Sequence, residues 1–513
     1  MSRLFFVVSV AVAIVFVSAP VESGQEQNLK TLSRALDVLV TRSADTVDEK
    51  SLLVEGIHGM LRTLDPYTQF LDEEVYDYMQ DQQKGSFFGI GISFDIRDGE
   101  LVVIAPIEGS PAWKLGLRPG DIIVEIDGET TAKITNSDVI KKLRGDRGSK
   151  VRIGIKRHGL PDLLQFEIVR DRIALNSVRG GFFVAPHIGY VRITEFTATT
   201  GNELGQMINK LVAEKVTKLI VDLRYNSGGL LSAAEDVASF FLRKGDLIVS
   251  THGRQKDSDM ELRCRANGQF RDLPLIILVN SGSASSSEIV AGAVQDHNRG
   301  LIIGTNTHGK GLVGTQFPTD LNTALQITTA QYFTPAGKFI QKPYRIPHRD
   351  TVHSDQTLHF EEFLPADSNS QSPAHVGGIV PDIDVKEEEL SVNLLRIESI
   401  SAFFNFIVEH GENLRLNTPN LEAIPDSAID AFIAYCRTHD IPLKTEDLDS
   451  DRAAIQDGLL REAKAVFLSP EEGERVRVIN QTQIREAIKA FETLETLLDR
   501  PSMVEKSAVA KMP

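Results

Sequence analysis

Largely apolar segments of strand length alternate with helix-length segments between residues 188 and 303, and this pattern limits the possible fold more than any other feature. The apolar runs at 219–223 and 275–279 are typical of strands that are buried on both faces. The segments at 201–216 and 230–242 are predicted to be helices. Strands joined by helices in this way predict a layered α/β domain with a largely parallel sheet, which we place at residues 172–390.

A smaller unit with a different sequence pattern precedes this domain, at residues 85–171. Short apolar strands are separated there by glycine-containing turns, and one helix is expected at 137–143. The predicted strands lie at 90–94, 101–104, 122–126, 151–155 and 164–168. We therefore expect a small, mostly β domain inserted ahead of the α/β domain.

Both ends of the chain are predicted to be helical. Residues 24–84 carry leucines at helical spacing, with a turn expected at Asp65-Pro66-Tyr67. Residues 391–513 have helical texture up to about residue 498. Before them, residues 343–375 are rich in Pro, His, Ser and Asp and predict an irregular loop, and residues 378–383 predict a last strand of the α/β domain.

The N-terminus has the pattern of an export signal. Arg3 precedes an apolar run at 4–17, which is short for a membrane-spanning helix and of the right length for a signal peptide. We therefore expect a signal peptide at 1–23, cleavage after Ser23, and export to the periplasm or cell envelope. The alternative is an uncleaved anchor, which would keep the protein close to a membrane.

Composition argues against several classes of protein. The 513 residues carry a formal net charge of −16, which disfavours a protein that binds the phosphates of a nucleic acid. The two cysteines, Cys264 and Cys436, could pair in an oxidising compartment, but their positions do not decide this. Because no cysteine or histidine spacing typical of a metal site occurs, we expect no metal and no other cofactor.

The segment from Asn280 to Glu288 carries the richest candidate chemistry, because it contains five serines between a predicted strand and a predicted helix. Catalytic groups gather at the carboxyl ends of such strands. A serine there lies beside the N–H groups that begin a helix, and these can bind an oxyanion. The alternative is a Gly/Ser loop that only caps the helix.

A serine nucleophile needs a base, and Lys310 is the candidate. It stands between Gly309 and Gly311, shortly after the strand predicted at 301–303. Burial would favour a neutral amine, which can accept the proton of a hydroxyl group. The alternative is an exposed lysine in a turn.

Together these motifs resemble the C-terminal processing (tail-specific) serine proteases of the S41 type. The resemblance covers roughly residues 29–385 and implies a ClpP/crotonase-like α/β core. It implies that Ser285, in Gly-Ser-Ala-Ser-Ser-Ser-Glu, is the nucleophile. It also implies that Lys310, in Gly-Lys-Gly, is the general base of a Ser/Lys dyad.

The same resemblance implies an oxyanion hole. Residues 222–229, Asp-Leu-Arg-Tyr-Asn-Ser-Gly-Gly, match the element of the family whose glycines shape that site. An N–H group of Gly228 or Gly229 is expected to join that of Ser286. Ser227 in this element imitates the nucleophile sequence of trypsin-like proteases, but those proteins are double β-barrels and the α/β alternation argues against them.

Two more positions enter through the resemblance. Asp296 stands where relatives often carry an acidic residue grouped with the dyad, and we expect it to have an orienting or a structural role. Relatives usually carry a glutamine four residues after the lysine, where this chain has Gly314. Either a local shift lets Gln316 orient the amine of Lys310 in its place, or the orienting residue is missing.

Residues 85–171 resemble a PDZ domain. The loop of Phe88, Gly89, Ile90, Gly91 and Ile92 resembles the loop that binds the terminal carboxylate of a peptide. The peptide would then add as a strand to the edge of the sheet. The alternative is a PDZ domain that only packs against the protease domain.

Two functions are compatible with these observations. The first is a serine endopeptidase that recognises accessible C-terminal tails of exported proteins and cleaves through an acyl-enzyme. The second is an inactive PDZ scaffold, or a binder of apolar ligands, on the same fold. The presence of both Ser285 and Lys310 at the family's spacing favours the enzyme.

Overall fold

A computed structural model of the protein describes residues 24–97, 99–107, 109–157, 159–319, 322–343, 377–417, 421–494 and 504. The signal peptide predicted at 1–23 and the loop predicted at 343–375, apart from Pro343, lie outside the described residues. Two compact units are present, one with described residues 24–70 and the other with described residues from 71 onward.

The helices are α1 (Gly24–Arg42), α2 (Glu49–Leu61), α3 (Glu73–Lys84), α4 (Pro111–Lys114), α5 (Asn136–Leu143), α6 (Thr200–Ala213), α7 (Leu231–Ser239), α8 (Ser286–Asp296), α9 (Val392–Ser399), α10 (Ala402–Asn417), α11 (Asp426–Thr438), α12 (Leu448–Phe467), α13 (Pro470–Ile479) and α14 (Thr482–Ala490).

The strands are β1 (Gln69–Leu71), β2 (Ser86–Gly89), β3 (Ile92–Arg97), β4 (Glu100–Pro106), β5 (Ile122–Ile126), β6 (Glu129–Thr130), β7 (Lys150–Lys156), β8 (Leu164–Val169), β9 (Asp171–Ala174), β10 (Val178–Ala185), β11 (Ile188–Ile193), β12 (Lys218–Asp222), β13 (Leu247–Gly253), β14 (Met260–Arg263), β15 (Leu275–Val279), β16 (Leu301–Gly304), β17 (Leu312–Thr319), β18 (Thr323–Phe333) and β19 (Ile383–Asp384).

The first unit contains α1 and α2. Asp48 caps α2, because its side chain accepts a hydrogen bond from the Ser51 N–H at 2.8 Å. After α2, the carboxylate of Asp65 accepts from the N–H groups of Tyr67 and Thr68 at 2.9 and 3.0 Å. These contacts confirm the turn that was predicted at Asp65-Pro66-Tyr67.

The second unit is organised around a sheet with the order β10-β11-β12-β15-β16-β19. All neighbours in it pair in parallel except β10, which is antiparallel to β11. The apolar strands predicted at 219–223, 275–279 and 301–303 are β12, β15 and β16, shifted by no more than one residue. The prediction of a largely parallel α/β core is therefore confirmed.

Both faces of this sheet are covered. On one face α6, α7 and α8 pack against alternate strand residues such as Val221 and Ile277. On the other face the intervening residues, such as Ile220 and Ile276, pack against Val478 of α13 and against α14. Burial of each such side chain stabilises the fold by roughly 1.5–3 kcal/mol. The helices α13 and α14 therefore form a layer of this domain, although they lie far from its strands in sequence.

A second, antiparallel sheet contains β17, β18, β13 and β14. The long hairpin of β17 and β18 was not predicted, and neither were β13 and β14. Few side chains in β17 and β14 are buried, so their sequences lack the apolar runs that identify the central strands.

Residues 86–174 form the predicted β domain. Its sheet has the order β3-β4-β5-β7-β8, while β2 pairs with β9. The single strand predicted at 90–94 is interrupted, because β2 ends at Gly89 and β3 begins at Ile92. The domain is joined to its surroundings by the ion pair of Arg144 with Asp81 of α3 at 2.9 Å and by Arg97, whose guanidinium stacks on Phe404 of α10.

The helices α9 to α12 pack around a separate core that includes Phe403, Phe432 and Leu459. Cys436 lies in this core and Cys264 in the core of the α/β domain, and both are free thiols. Burial raises the pKa of Cys436 to about 12. Within the described part of the chain, no helix combines the length and the apolar character that a membrane span requires.

Candidate active site

Ser285 occupies a sharp turn between β15 and α8. Its φ and ψ angles are 53° and −114°, which is a conformation that residues with a side chain rarely adopt. Strained backbone of this kind is typical of a nucleophile held at the mouth of a site between a strand and a helix. Ser285 is half-buried, so its hydroxyl group is accessible from one side.

The hydroxyl groups of the neighbouring serines are engaged in hydrogen bonds. The hydroxyl groups of Ser283, Ser286 and Ser287 donate to main-chain carbonyls over 2.8, 3.0 and 2.9 Å, and all three residues are buried. In contrast, the hydroxyl group of Ser285 donates no hydrogen bond to any residue that the structure describes. Among these serines, Ser285 is therefore suited to react and the others support the loop.

Lys310 lies on the loop that follows β16, and a buried carboxylate joins this loop to the nucleophile loop. Glu288 Oε2 accepts from the Ser285 N–H at 2.8 Å and from the Lys310 N–H at 2.9 Å. Glu288 Oε1 accepts from the Thr307 hydroxyl group at 2.5 Å and from the Gly309 N–H at 2.7 Å. The main-chain N–H groups of Ser285 and Lys310 thus share one acceptor, which holds their two loops side by side.

Glu288 has no solvent exposure. Burial raises the pKa of its carboxyl group, while the hydrogen bonds from Thr307, Lys310, Gly309 and Ser285 act in the opposite direction. The residue was not singled out from the sequence, although its spacing to Ser285 is that of a capping box, Ser-x-x-Glu. That pattern is the signal by which it could have been found.

Tyr332 makes a second bridge between the two loops. Its hydroxyl group, on β18, donates toward the carbonyl of Ser285 at 3.3 Å and contacts the carbonyl of Lys310. No sequence pattern pointed to this residue, because it belongs to the hairpin that was not predicted. Ser285 and Lys310 are therefore held through both their N–H and their carbonyl groups.

The loop after β12 brings Gly228 against the nucleophile. A Cβ atom at Gly228 would lie 2.7 Å from Ser285 Cβ and 3.1 Å from the Ser286 nitrogen, and its φ angle is 106°. Glycine is therefore required here by both space and backbone conformation. However, the Gly228 N–H donates to Asn226 Oδ1 at 2.9 Å and is occupied within the loop.

Gly229 presents its N–H differently. The bridge between Gly229 and Phe196 uses the N–H groups of Phe196 and Leu230, at 2.9 and 2.7 Å, so the N–H of Gly229 takes no part in it. Gly229 is exposed, and its N–H donates to no residue that the structure describes. Ser286 begins α8, so its N–H lacks an acceptor within the helix. The N–H groups of Gly229 and Ser286 thus donate to no other described residue.

The structure places the other predicted site residues elsewhere. Asp296 ends α8, so it lies about 16 Å along the helix axis from Ser285. It is buried and accepts from Lys338 Nζ at 3.1 Å and from the Ala336 N–H at 2.9 Å. Asp296 is therefore not brought together with Ser285 and Lys310, and its contacts are those of a structural residue.

Gln316 lies on β17, and its side chain contacts α3. It accepts from Gln80 Nε2 at 3.3 Å, and its amide nitrogen lies 3.9 Å from Met79 Sδ. The structure thus does not join Gln316 to Lys310. Ser227 is an exposed residue of the loop between β12 and α7.

The predicted carboxylate-binding loop joins β2 to β3. Ile90 and Gly91 lie between the two strands, and their N–H groups donate to no other described residue. Gly91 has a φ angle of 78°, and a Cβ atom there would lie 2.3 Å from Ser110 Cβ. Ile90 is buried in the core of the domain, Ile92 is half-buried and Phe88 is exposed.

The sheet of this domain has a free edge beside the loop. Within the described residues, β3 pairs with β4 on one side and with no strand on the other. An extended peptide can add to such an edge. Among the described residues, no group of three or more His, Cys, Asp or Glu side chains is arranged to bind a metal ion.

Comparison with known proteins gives two family matches. The model of peptidase family S41 matches residues 187–351, and a PDZ domain model matches residues 102–157. The first match includes the loops of Gly229, Ser285 and Lys310, and the second lies within the β domain.

Individual proteins are similar over longer stretches. The chain is 38% identical over 348 residues to a carboxy-terminal-processing protease of Bartonella bacilliformis, a match that covers 66% of this chain and 80% of that protein. It is 34% identical to a carboxyl-terminal-processing protease of Synechocystis, covering 62% and 75% of the two chains. A solved photosystem II D1 C-terminal processing protease is 26% identical, covers 70% of this chain and 88% of its own, and has a TM-score of 0.37.

Proposed function

The chain belongs to the carboxy-terminal processing proteases of peptidase family S41, and from this premise we propose that it is an exported Ser/Lys endopeptidase that selects substrates by their C-terminal tails. That the chain is a serine peptidase with a PDZ domain follows from the family. The observation that carries the finer proposal is the shared acceptor Glu288 Oε2, to which Ser285 and Lys310 both donate.

In the proposed reaction, Ser285 Oγ attacks the carbonyl carbon of the scissile peptide bond while its proton passes to the amine of Lys310. The N–H groups of Gly229 and Ser286 donate to the oxyanion of the tetrahedral intermediate. The ammonium group of Lys310 then donates a proton to the leaving amine, and an acyl-enzyme on Ser285 remains. Water hydrolyses this ester with Lys310 again as the base. Each oxyanion donor contributes about 10²- to 10³-fold to such a rate.

Substrate selection is assigned to the PDZ domain. The N–H groups of Ile90 and Gly91 support binding of a terminal carboxylate, since they are not used by other described residues. The free edge of β3 supports addition of the tail as a strand. The half-buried side chain of Ile92 favours an apolar last residue.

Export is proposed from the first 23 residues, which combine Arg3, an apolar run and a small-residue cleavage region. Its substrates would then be proteins of the periplasm or cell envelope. N-terminal sequencing of the protein recovered from the envelope fraction tests this proposal. A mature chain that begins near Gly24 is expected, and a chain that begins at Met1 would contradict cleavage.

The dyad is tested by labelling with a fluorophosphonate probe, which reacts with activated serines. The wild-type chain and the Ser227→Ala variant should be labelled and should cleave a reporter protein with an apolar C-terminal tail. Ser285→Ala should do neither while it remains folded. If labelling were lost in Ser227→Ala and retained in Ser285→Ala, the nucleophile would be Ser227, and the proposed assignment to Ser285 would be wrong.

A further inference from the structure

Arg224 is held between the central sheet and the start of α14. On one side its Nε donates to Asp222 Oδ1 at 2.9 Å, and one terminal nitrogen donates to Asp222 Oδ2 at 2.5 Å. On the other side it donates to Gln483 Oε1 at 2.5 Å and to Gln481 Oε1 at 2.7 Å. The guanidinium group thus joins two parts of the chain that are more than 250 residues apart in sequence.

This cluster is buried and charged. Arg224 is 6% exposed, and Asp222 and Gln483 are at most 1% exposed. Burial opposes ionisation of Asp222, but the adjacent guanidinium group keeps the pKa of Asp222 below its ordinary value. A buried charge needs acceptors for its N–H donors. The two glutamine oxygens accept from terminal nitrogens of Arg224, in addition to the hydrogen bonds that Asp222 accepts.

The glutamines are themselves fixed. Both stand at the start of α14, whose Ile484 and Ala487 pack on the sheet. Gln483 also donates from Nε2 to the carbonyl of Val385 at 2.7 Å, directly after β19. The Gln481 and Gln483 side chains are therefore supported by the core layer that α13 and α14 add to the domain.

A second set of contacts connects α14 to the loop after β12 and to the nucleophile loop. Arg485 of α14 donates to Glu388 at 2.7 Å. The preceding residue, Glu387, accepts from Asn280 Nδ2 at 2.7 Å and contacts the hydroxyl group of Tyr225. Asn280 opens the nucleophile loop and Tyr225 directly follows Arg224, so both loops are held from the side of α14.

We infer that Gln481 and Gln483 are positioning residues for the oxyanion hole and that they act through Arg224. Arg224 and Gly229 are five residues apart, so a shift of the guanidinium group is passed to the N–H that faces the reacting carbonyl. Oxyanion donors must be fixed before the reaction to be effective. This inference rests on the proposed Ser/Lys function, and it assigns a catalytic purpose to a C-terminal segment that lies outside the matched S41 region at 187–351.

The test uses the full chain and exchanges the acceptor at Gln481, which is half-buried. Gln481→Leu removes the oxygen that accepts from Arg224, and Gln481→Glu retains one. We expect Gln481→Leu to lower kcat about 10-fold with little change in KM, and Gln481→Glu to restore most of kcat. Gln456→Leu is the matched control, because Gln456 donates to the carbonyl of Ile424 at 2.7 Å within the separate core of α9 to α12.

Amide hydrogen exchange gives a readout that does not depend on activity. Exchange over residues 223–230 should be faster in Gln481→Leu than in the wild type, and exchange over α8 should be unchanged. Wild-type kcat and wild-type exchange in Gln481→Leu and in Gln481→Leu/Gln483→Leu would overturn the inference, as would equal losses in Gln481→Leu and Gln481→Glu. A wild-type chain that is neither labelled nor active would instead contradict the proposed function.

Discussion

Ser285 and Lys310 donate their main-chain N–H groups to one and the same oxygen atom, Glu288 Oε2, at 2.8 and 2.9 Å. Because both donors point to a single buried acceptor, the separation of the two loops is fixed by the main chain. These contacts use the main chain of Ser285 and Lys310 and not their side chains. A mutation that removes the carboxylate of Glu288 should therefore separate the two loops.

Glu288→Gln should disrupt this bridge. The carboxylate accepts four hydrogen bonds, whereas the amide has one oxygen and turns its NH2 group toward N–H or O–H donors. We expect the free energy of unfolding to fall by about 1–3 kcal/mol and kcat/KM to fall about 100-fold or more. Chemical denaturation and steady-state kinetics measure the two effects.

Glu203→Gln is the control for that variant. Glu203 Oε2 also accepts main-chain N–H groups, from Ser177 and Val178 at 2.8 and 3.0 Å, but on α6. It should lose stability while the folded fraction keeps wild-type kcat. Equal kinetic losses in the two variants would mean that Glu288 matters for stability alone.

The pH dependence of stability should carry the signature of Glu288. Burial raises the pKa of this carboxyl group above its ordinary value of 4.5, so the folded chain holds the proton more tightly than the unfolded chain does. The contribution of the group to the free energy of unfolding therefore falls as pH rises from 4.5 through the raised pKa, and is constant above it. The difference between wild type and Glu288→Gln, measured by denaturation at each pH, should show this fall. A difference that rises over that range would contradict the assignment.

Lys310→Arg should be nearly inactive. Arginine keeps its proton at any pH at which the protein is folded, so it cannot accept the proton of Ser285. Loss of a general base lowers kcat about 10²- to 10⁴-fold. Lys338→Arg is the matched control, because Lys338 forms an ion pair with Asp296 at 3.1 Å that arginine can preserve. Full activity of Lys310→Arg would rule out the dyad.

Gly228→Ala should displace the nucleophile. The new Cβ atom would lie 2.7 Å from Ser285 Cβ and 2.9 Å from the Ala284 carbonyl oxygen. Gly245→Ala is the matched control. Gly245 also has a positive φ angle, 91° compared with 106° at Gly228, but a Cβ atom there would meet nothing within 4 Å. Both should lose about 1–3 kcal/mol of stability from backbone strain. Probe labelling of Ser285 should be lost only in Gly228→Ala.

The central strands were predictable because they are buried on both faces and are therefore largely apolar. Leu275–Val279 has no side chain exposed to solvent, and its sequence shows this directly. The hairpin of β17 and β18 mixes polar and apolar residues, since it is only partly covered, and it gave no such signal. The strand predicted at 90–94 is interrupted because Gly91 adopts a positive φ angle that no periodicity reveals.

Within the site, Ser285 and Lys310 were predictable because short motifs carry them. Their bridges were harder to predict. Glu288 had a local signal in its spacing to Ser285. Tyr332 and the two glutamine partners of Arg224 lie far away in sequence and are brought close only by packing. The predicted roles of Asp296 and Gln316 came only from the resemblance to the family, and no physical signal supported either one.

Cleavage should depend on a free, apolar C-terminus of the substrate. A carboxylate needs several N–H donors, and Ile90 and Gly91 provide two between β2 and β3. Burial of one apolar side chain beside Ile92 contributes roughly 1.5–3 kcal/mol, about ten- to a hundredfold in affinity. A reporter whose C-terminus is amidated, or ends in Asp, should therefore be cleaved more slowly than the same reporter with a free apolar end.

Changes at the N-terminus of the reporter serve as the control, because they lie away from the carboxylate and should leave the rate unchanged. A second control is the variant Ile92→Ser, which removes apolar surface beside the predicted last residue while the N–H donors stay in place. It should reduce the preference for apolar over acidic ends and keep the preference for a free over an amidated carboxylate. Equal rates for free, amidated and acidic tails in the wild type would mean that the PDZ domain does not read the tail, and selection would then belong to the cleft around Ser285.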